Sequence, residues 1–276
     1  MLTLAACSPA AGPAPIVEPA LEIPRLPRLT HGDGGSAAPA GGVRFGRVPP
    51  AVGARWKVQV AAKSASADPQ GGMQLSEYAS SYIVEVLGTN GPAPSRVRLS
   101  FERNVQRYQG IDKPTAIDGK TYVLDASVSQ DGSGRWAVRD ASGGQASEEE
   151  AERVRDVFPD LGTRTQIDQI LPDAAMAIGE SRDDLAGAIL RVIHPRAWTL
   201  NDGSAVLART EAEDAVFAIT IDATGSNGLR MVVKGEARVR LRDARLVQIS
   251  ADGSYDHVKG GPDPGTFSLR RTVSDL

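Results

Sequence analysis

From Arg55 to Lys63 the chain alternates: Trp56, Val58, Val60 and Ala62 fall on one side and Arg55, Lys57, Gln59 and Lys63 on the other, with Ala61 an apolar intrusion among the polar set. A period of two predicts a half-buried antiparallel strand. The pattern returns at Tyr82, Val84 and Val86, where Ile83 and Leu87 make the second side partly apolar. It returns again at Val97, Leu99, Phe101 and Val105 against Arg98, Ser100, Glu102 and Gln106. Gly88–Pro94 supplies the turn between these two strands. Tyr122–Ala126 and Trp136–Asp140 predict a hairpin around Gln130-Asp131-Gly132-Ser133-Gly134.

The period then changes. Ser147-Glu148-Glu149-Glu150 reads as a capping box, in which the serine oxygen accepts an orphan amide and Glu150 reaches back to the cap. Ala151, Val154, Val157 and Phe158 share one side of the helix that follows, and Pro159 ends it. A short segment with Ile167, Ile170 and Leu171 stops at Pro172. Asp183 or Asp184 opens another helix, with Leu185, Ile189, Val192 and Ile193 on one side and Pro195 beyond. Between 147 and 190 stand eleven acidic and four basic residues, so the outer side of this layer is negative.

Beyond about residue 204 alternation resumes. Leu229, Met231, Val233, Ala237, Val239 and Leu241 hold odd positions with Gly235 interrupting, while Arg230, Lys234, Glu236, Arg238, Arg240 and Arg242 hold even ones, joined by Val232. Phe217, Ile219 and Ile221 precede this strand, and Val247, Ile249, Ala251, Phe267 and Leu269 follow it. Short returns make neighbours antiparallel. The predicted fold class is therefore α+β, mainly antiparallel sheet in two strand-rich halves (about 55–140 and 204–273), with an intervening helical segment (about 147–194) packed on one face.

The first fifty residues differ in kind. Between Ser8 and Pro50 lie nine prolines and seven glycines in 43 residues, with no hydrophobic period. Such a segment has too little apolar surface to offset the entropy of ordering, and reads as a disordered Pro/Gly-rich tether over 8–50, ahead of a single domain over 51–276. Within it Ile23-Pro24-Arg25-Leu26-Pro27-Arg28-Leu29 suits a polyproline helix, either one that docks in a partner's groove or, the favoured reading, a spacer. The chain's one cysteine, Cys7, stands just before the tether, preceded by Leu4-Ala5-Ala6 and followed by Ser8.

That string resembles the lipobox of bacterial lipoproteins, in which a leucine and small residues lead to the cysteine that takes a diacylglycerol. With the tether and the strand-rich domain behind it, the chain is similar to bacterial envelope lipoproteins of uncharacterised function. The resemblance implies lipidation at Cys7, a signal remnant over 1–7, and a lipid-anchored position facing the periplasm or the cell surface. Met1–Ala6 lacks the basic and apolar regions of an export leader, so the expectation is that the leader lies upstream of Met1. No apolar run approaches the ~18 residues of a membrane span, which leaves lipid as the expected anchor.

Composition narrows the chemistry. Thirty-one basic residues against 34 acidic, a net charge of −3, argue against a nucleic-acid partner. A single cysteine excludes a disulfide framework and a multi-cysteine metal site. His31, His194 and His257 have no metal-ligand spacing, and no phosphate-binding or nucleophile motif appears, so no catalytic residue, metal or cofactor is assigned. Asp-Gly-Ser occurs at Asp131, Asp202 and Asp252; lacking a completed calcium-loop pattern, all three read as turns.

Two surfaces remain as candidates. Arg230, Lys234, Arg238, Arg240 and Arg242 form a basic stripe, either a patch for anionic lipid, polysaccharide or an envelope protein, or a solvated face paired with neighbouring carboxylates or docked by the acidic helices. Phe217, Ile219, Met231, Val233, Val239 and Val247 belong either to a packed core or to an apolar groove. The second option resembles, in architecture alone, periplasmic lipid-carrying lipoproteins, whose curved sheet is closed by helices. The expected function is a non-catalytic binding or scaffolding lipoprotein; a carrier or sensor of a lipophilic ligand is the alternative, and an enzyme the least favoured.

Overall fold

The computed structural model describes residues 42–67, 72–130, 135–193, 198–225, 228–257 and 265–276. Cys7, the greater part of the tether, Asp131, His31 and His194 lie outside them, as does the side chain of His257. Six strands come first: β1 (Arg55–Ala67), β2 (Met73–Asn90), β3 (Ala93–Tyr108), β4 (Ile111–Pro114), β5 (Thr121–Gln130) and β6 (Arg135–Asp140). Three helices follow, α1 (Glu148–Val157), α2 (Gln166–Ile170) and α3 (Asp183–Ile193). The chain finishes with β7 (Trp198–Glu211), β8 (Asp214–Gly225), β9 (Leu229–Arg240), β10 (Leu246–His257) and β11 (Gly265–Asp275). The fold is α+β and mainly antiparallel β.

All eleven strands join one sheet in the order β6-β5-β3-β2-β1-β11-β10-β9-β8-β7, with β4 beside the far end of β3. The N-terminal half thus runs from the centre outwards, and the C-terminal half returns from the opposite edge to close on β1. Residues directly opposite in an antiparallel ladder share a face. Trp56 opposes Val84, Val58 opposes Tyr82 and Val273, and Ala62 opposes Leu269, so one apolar face continues across the centre.

That face carries all three helices. Ala151 and Val154 of α1 pack with Trp56, Val58, Val84, Leu99 and Leu124. Ile167 of α2 and Leu185 and Ile189 of α3 pack with Phe217, Ile219, Met231 and Val233. Val60 touches both clusters, which places them side by side on the same side of the sheet. Helix α1 begins as its sequence dictates: Ser147 Oγ accepts from Glu150 N, and Glu150 Oε2 accepts from Ser147 N at 2.9 Å.

Three expectations change. Residues 42–50, assigned by composition to the tether, are packed against the domain: Val43 pairs with Met176, and the Phe45 ring stacks on Phe217 at 6.2 Å. Two apolar side chains, backbone hydrogen bonds from Val43 and Gly46, and the Arg47–Asp168 ion pair at 3.0 Å dock it. Asp202-Gly203-Ser204 and Asp252-Gly253-Ser254 are not turns but lie inside β7 and β10. Their glycines serve close approach instead. A Cβ on Gly253 would sit 2.4 Å from Val232 O, and one on Gly203 would meet Thr220 O and Ala186 Cβ. Finally, the acidic helices do not dock on the basic stripe, because they occupy the other face.

Candidate functional site

The helix-free face holds the exposed polar residues of the central strands. Directly opposed pairs on it include Gln59 with Ser81 and Thr272, and Ala61 with Ala79 and Arg270. Where β1 meets β2 and β11 these short side chains leave an open trough of about 370 Å³, lined by Gln59, Ala61, Ala79, Ser81, Arg103, Arg270 and Thr272. Arg103 on β3 and Arg270 on β11 form its two rims, three strand spacings or about 14 Å apart.

Neither rim arginine has a close carboxylate. Arg103 meets Asp112 at 3.5 Å and Arg270 meets Asp252 at 3.6 Å, while Arg270 Nη1 also donates to Leu269 O at 3.0 Å; both side chains are about half exposed. Close by, Lys57 Nζ and Ser81 Oγ both bond Glu102 Oε2, at 2.7 and 2.8 Å. The lysine first and the serine second hold the Glu102 carboxyl below the usual carboxylate range. The trough therefore joins a floor of small side chains to two guanidiniums without close carboxylate partners.

The basic stripe of β9 behaves otherwise. Arg230 is bidentate to Asp222, Arg238 meets Glu211 at 2.6 Å, and Glu236, on the same face, is held by Arg209. Arg240 is nearly buried between Asp243 and Asp275, and Arg242 shares Asp275 at 2.7 Å. Of the five stripe residues only Lys234 has no ion pair among the described residues. The neutralising carboxylates come from neighbouring strands and turns, which is why spacing along β9 shows the cations and hides their partners.

The groove residues are placed together, in a closed setting. Phe217, Ile219, Met231, Val233 and Val239 are buried beneath Met176, Leu185 and Ile189. Val247 lies apart, at the register shift between Leu246 and Gln248, and is half-buried. A lipophilic ligand would reach this cluster only by displacing α2 and α3.

One cluster on the covered face was not legible in the sequence. Asn104, almost fully buried, donates to Tyr78 Oη and Ser80 Oγ at 2.9 Å, accepts from Thr115 Oγ1 at 2.7 Å, and gives its amide to Asp118. Every polar group there has a partner, so it locks β2, β3 and the 115–118 turn together. Its residues are scattered over forty positions, and only the pairing of β2 with β3 assembles them.

Among the described residues no group of three His, Cys, Asp or Glu side chains is placed to hold a metal ion. Nor is any described helix long and apolar enough to cross a membrane. Comparison with protein families and with curated proteins finds no match to this chain. Among solved structures the chain is similar to DynF from the dynemicin biosynthesis pathway of Micromonospora chersina, at 10% identity over 86% of this chain and 95% of that one. The TM-score is 0.21, and at that distance the likeness adds nothing to the reading of fold or site.

Proposed function

We propose that this protein is a lipid-anchored, non-catalytic binding protein of the bacterial cell envelope, and that the helix-free face of its sheet meets the partner. The observation that carries this reading is the trough at the sheet's centre. An antiparallel sheet tolerates one wet face without any ligand, so bareness alone argues nothing. A depression of about 370 Å³ floored by Ala61 and Ala79 and rimmed by two loosely paired arginines is a more specific feature. Small side chains let an extended chain lie close to the strands, and guanidiniums at the two rims suit carboxylate or phosphate groups on it. Cys7, ahead of its tether, supports the envelope location.

Two experiments test the two halves of this reading. Cys7→Ala is expected to release the protein from the membrane fraction into the soluble fraction; retention of its lipidated-like behaviour on detergent partitioning ends the anchor reading. For the trough, calorimetric titration with a short polyuronate is expected to give a saturable heat that weakens with salt and vanishes in Arg270→Glu. A binding heat unchanged in Arg270→Glu and in Ala79→Trp, which fills the floor, overturns the site.

A further inference from the structure

Nine large apolar side chains are exposed among the described residues, and four of them stand at one corner of the sheet: Met73 (62%), Leu75 (39%), Tyr108 (42%) and Ile111 (64%). Single exposed hydrophobics are ordinary, whereas a cluster marks a contact. The corner is where β2 begins and β3 turns into β4. Gln109 and Gly110 form that turn with φ of 49° and 80°, the two positive values of a tight hairpin turn. Gln109 also clamps β2, its amide donating to Leu75 O at 3.0 Å and its side chain to Met73 O at 3.2 Å. The four side chains are thus carried on a braced tip.

Their directions matter. Tyr108 opposes Ser76 and Ile111, and by alternation from buried Asn104 both Tyr108 and Ile111 lie on the helix-bearing face. Leu75 opposes Ala65 and lies on the other face with Met73. Apolar groups therefore project from both faces of the same end. A protein docking on one face would cover only half of them. Addition of a partner strand is disfavoured as well, since the free edge belongs to β4, four residues long with Asp112, Lys113 and Pro114.

We infer that this corner is a second membrane contact, a tip that enters the interfacial zone of a lipid bilayer end-on. An end-on tip surrounds both faces with lipid and satisfies all four apolar side chains at once. Tyrosine suits the headgroup level, and cations behind an apolar tip suit anionic headgroups. Behind this tip Lys63, Arg107 and Lys113 outnumber Glu77 and Asp112, and Lys113 has no ion pair among the described residues.

This inference adds to the anchored reading without needing lipid at Cys7, so the test uses the full chain carrying Cys7→Ala. Flotation is carried out with neutral phosphatidylcholine vesicles and with an equal mixture of phosphatidylcholine and phosphatidylglycerol. The unlipidated chain is expected to float with the mixed vesicles. The double variant Leu75→Glu/Ile111→Glu is expected to lose about tenfold or more in partitioning, with its thermal midpoint unchanged because both sites are exposed. Lys113→Gln is expected to lose about fivefold on the anionic vesicles alone, and Val192→Glu on α3 to lose nothing. Failure of the unlipidated chain to float, or flotation that survives the double variant, overturns the inference. So does a chain that sediments as a dimer and becomes monomeric in the double variant, since the corner would then join two copies.

Discussion

On β9, Met231, Val233, Ala237 and Val239 are sealed beneath the helices, while Arg230, exposed, and Glu236 and Arg238, half-buried, each one residue away, pair with neighbouring strands. The two faces are made from the same strands and differ in what holds them. Apolar side chains on the covered face find partners in every direction, so their contacts are numerous and unshared with solvent. Charges on the open face find few partners, and water screens what they gain. The covered face supplies stability, and the open face contributes little to it.

The sharpest way to break this comparison is Phe217→Ala, which removes a fully buried ring from the middle of the C-terminal cluster. It is expected to cost about 3–5 kcal/mol in urea denaturation. A loss under about 1 kcal/mol would mean a loose covered face that accommodates a ligand. Next comes Gly235→Ala, whose new Cβ would lie 2.1 Å from Ser250 O, with an expected cost of about 1–3 kcal/mol. Gly88→Ala, where the nearest atom is 3.5 Å away, serves as its control and should change little. Asn104→Ala leaves Ser80, Tyr78 and Thr115 without their shared partner, and about 1–3 kcal/mol is expected from the same assay.

A subtler test uses acid. Glu150 accepts from Lys120, Ser147 and Tyr122, and Lys120 first, then Ser147, pulls its carboxyl down from 4.5 to about 2. A carboxyl lowered by folding stabilises the protein fully above its unfolded value, and that contribution disappears as pH falls through the folded one. Glu150→Gln should therefore melt below the wild type at neutral pH, with the gap closing between pH 4.5 and about 2. Parallel melting curves across that range would remove Glu150 as the cause. The smallest effect belongs to the open face: Arg209→Met breaks contacts to Glu211 and Glu236, yet at its exposure no more than about 1 kcal/mol is expected. A larger loss would show that the open face also carries the fold.

Legibility followed the same division. The capping box of α1 could be read from Ser147-Glu148-Glu149-Glu150 alone, since all of its partners lie within one turn. The odd and even sets of β9 were equally plain, because alternation is a local property. β4 was missed: four exposed residues carry no period. The glycines of Asp202-Gly203-Ser204 and Asp252-Gly253-Ser254 misled, because a glycine needed for turning and one needed for close strand approach look alike in sequence. The trough was invisible for a related reason. Arg103 and Arg270 are 167 positions apart, and only the pairing of β1 with both β2 and β11 brings their strands to one face.

By itself the sequence determined what depends on neighbours along the chain: which segments are strand or helix, and which side of each is dry. Tertiary structure decided what depends on distant partners: that β11 closes on β1, that all three helices share one side, that the stripe's arginines are neutralised, and that Met73 and Ile111 end at one corner. Side-chain periodicity is fixed by backbone geometry within a few residues. The choice of strand neighbour is made by the burial of whole faces, which no local window contains.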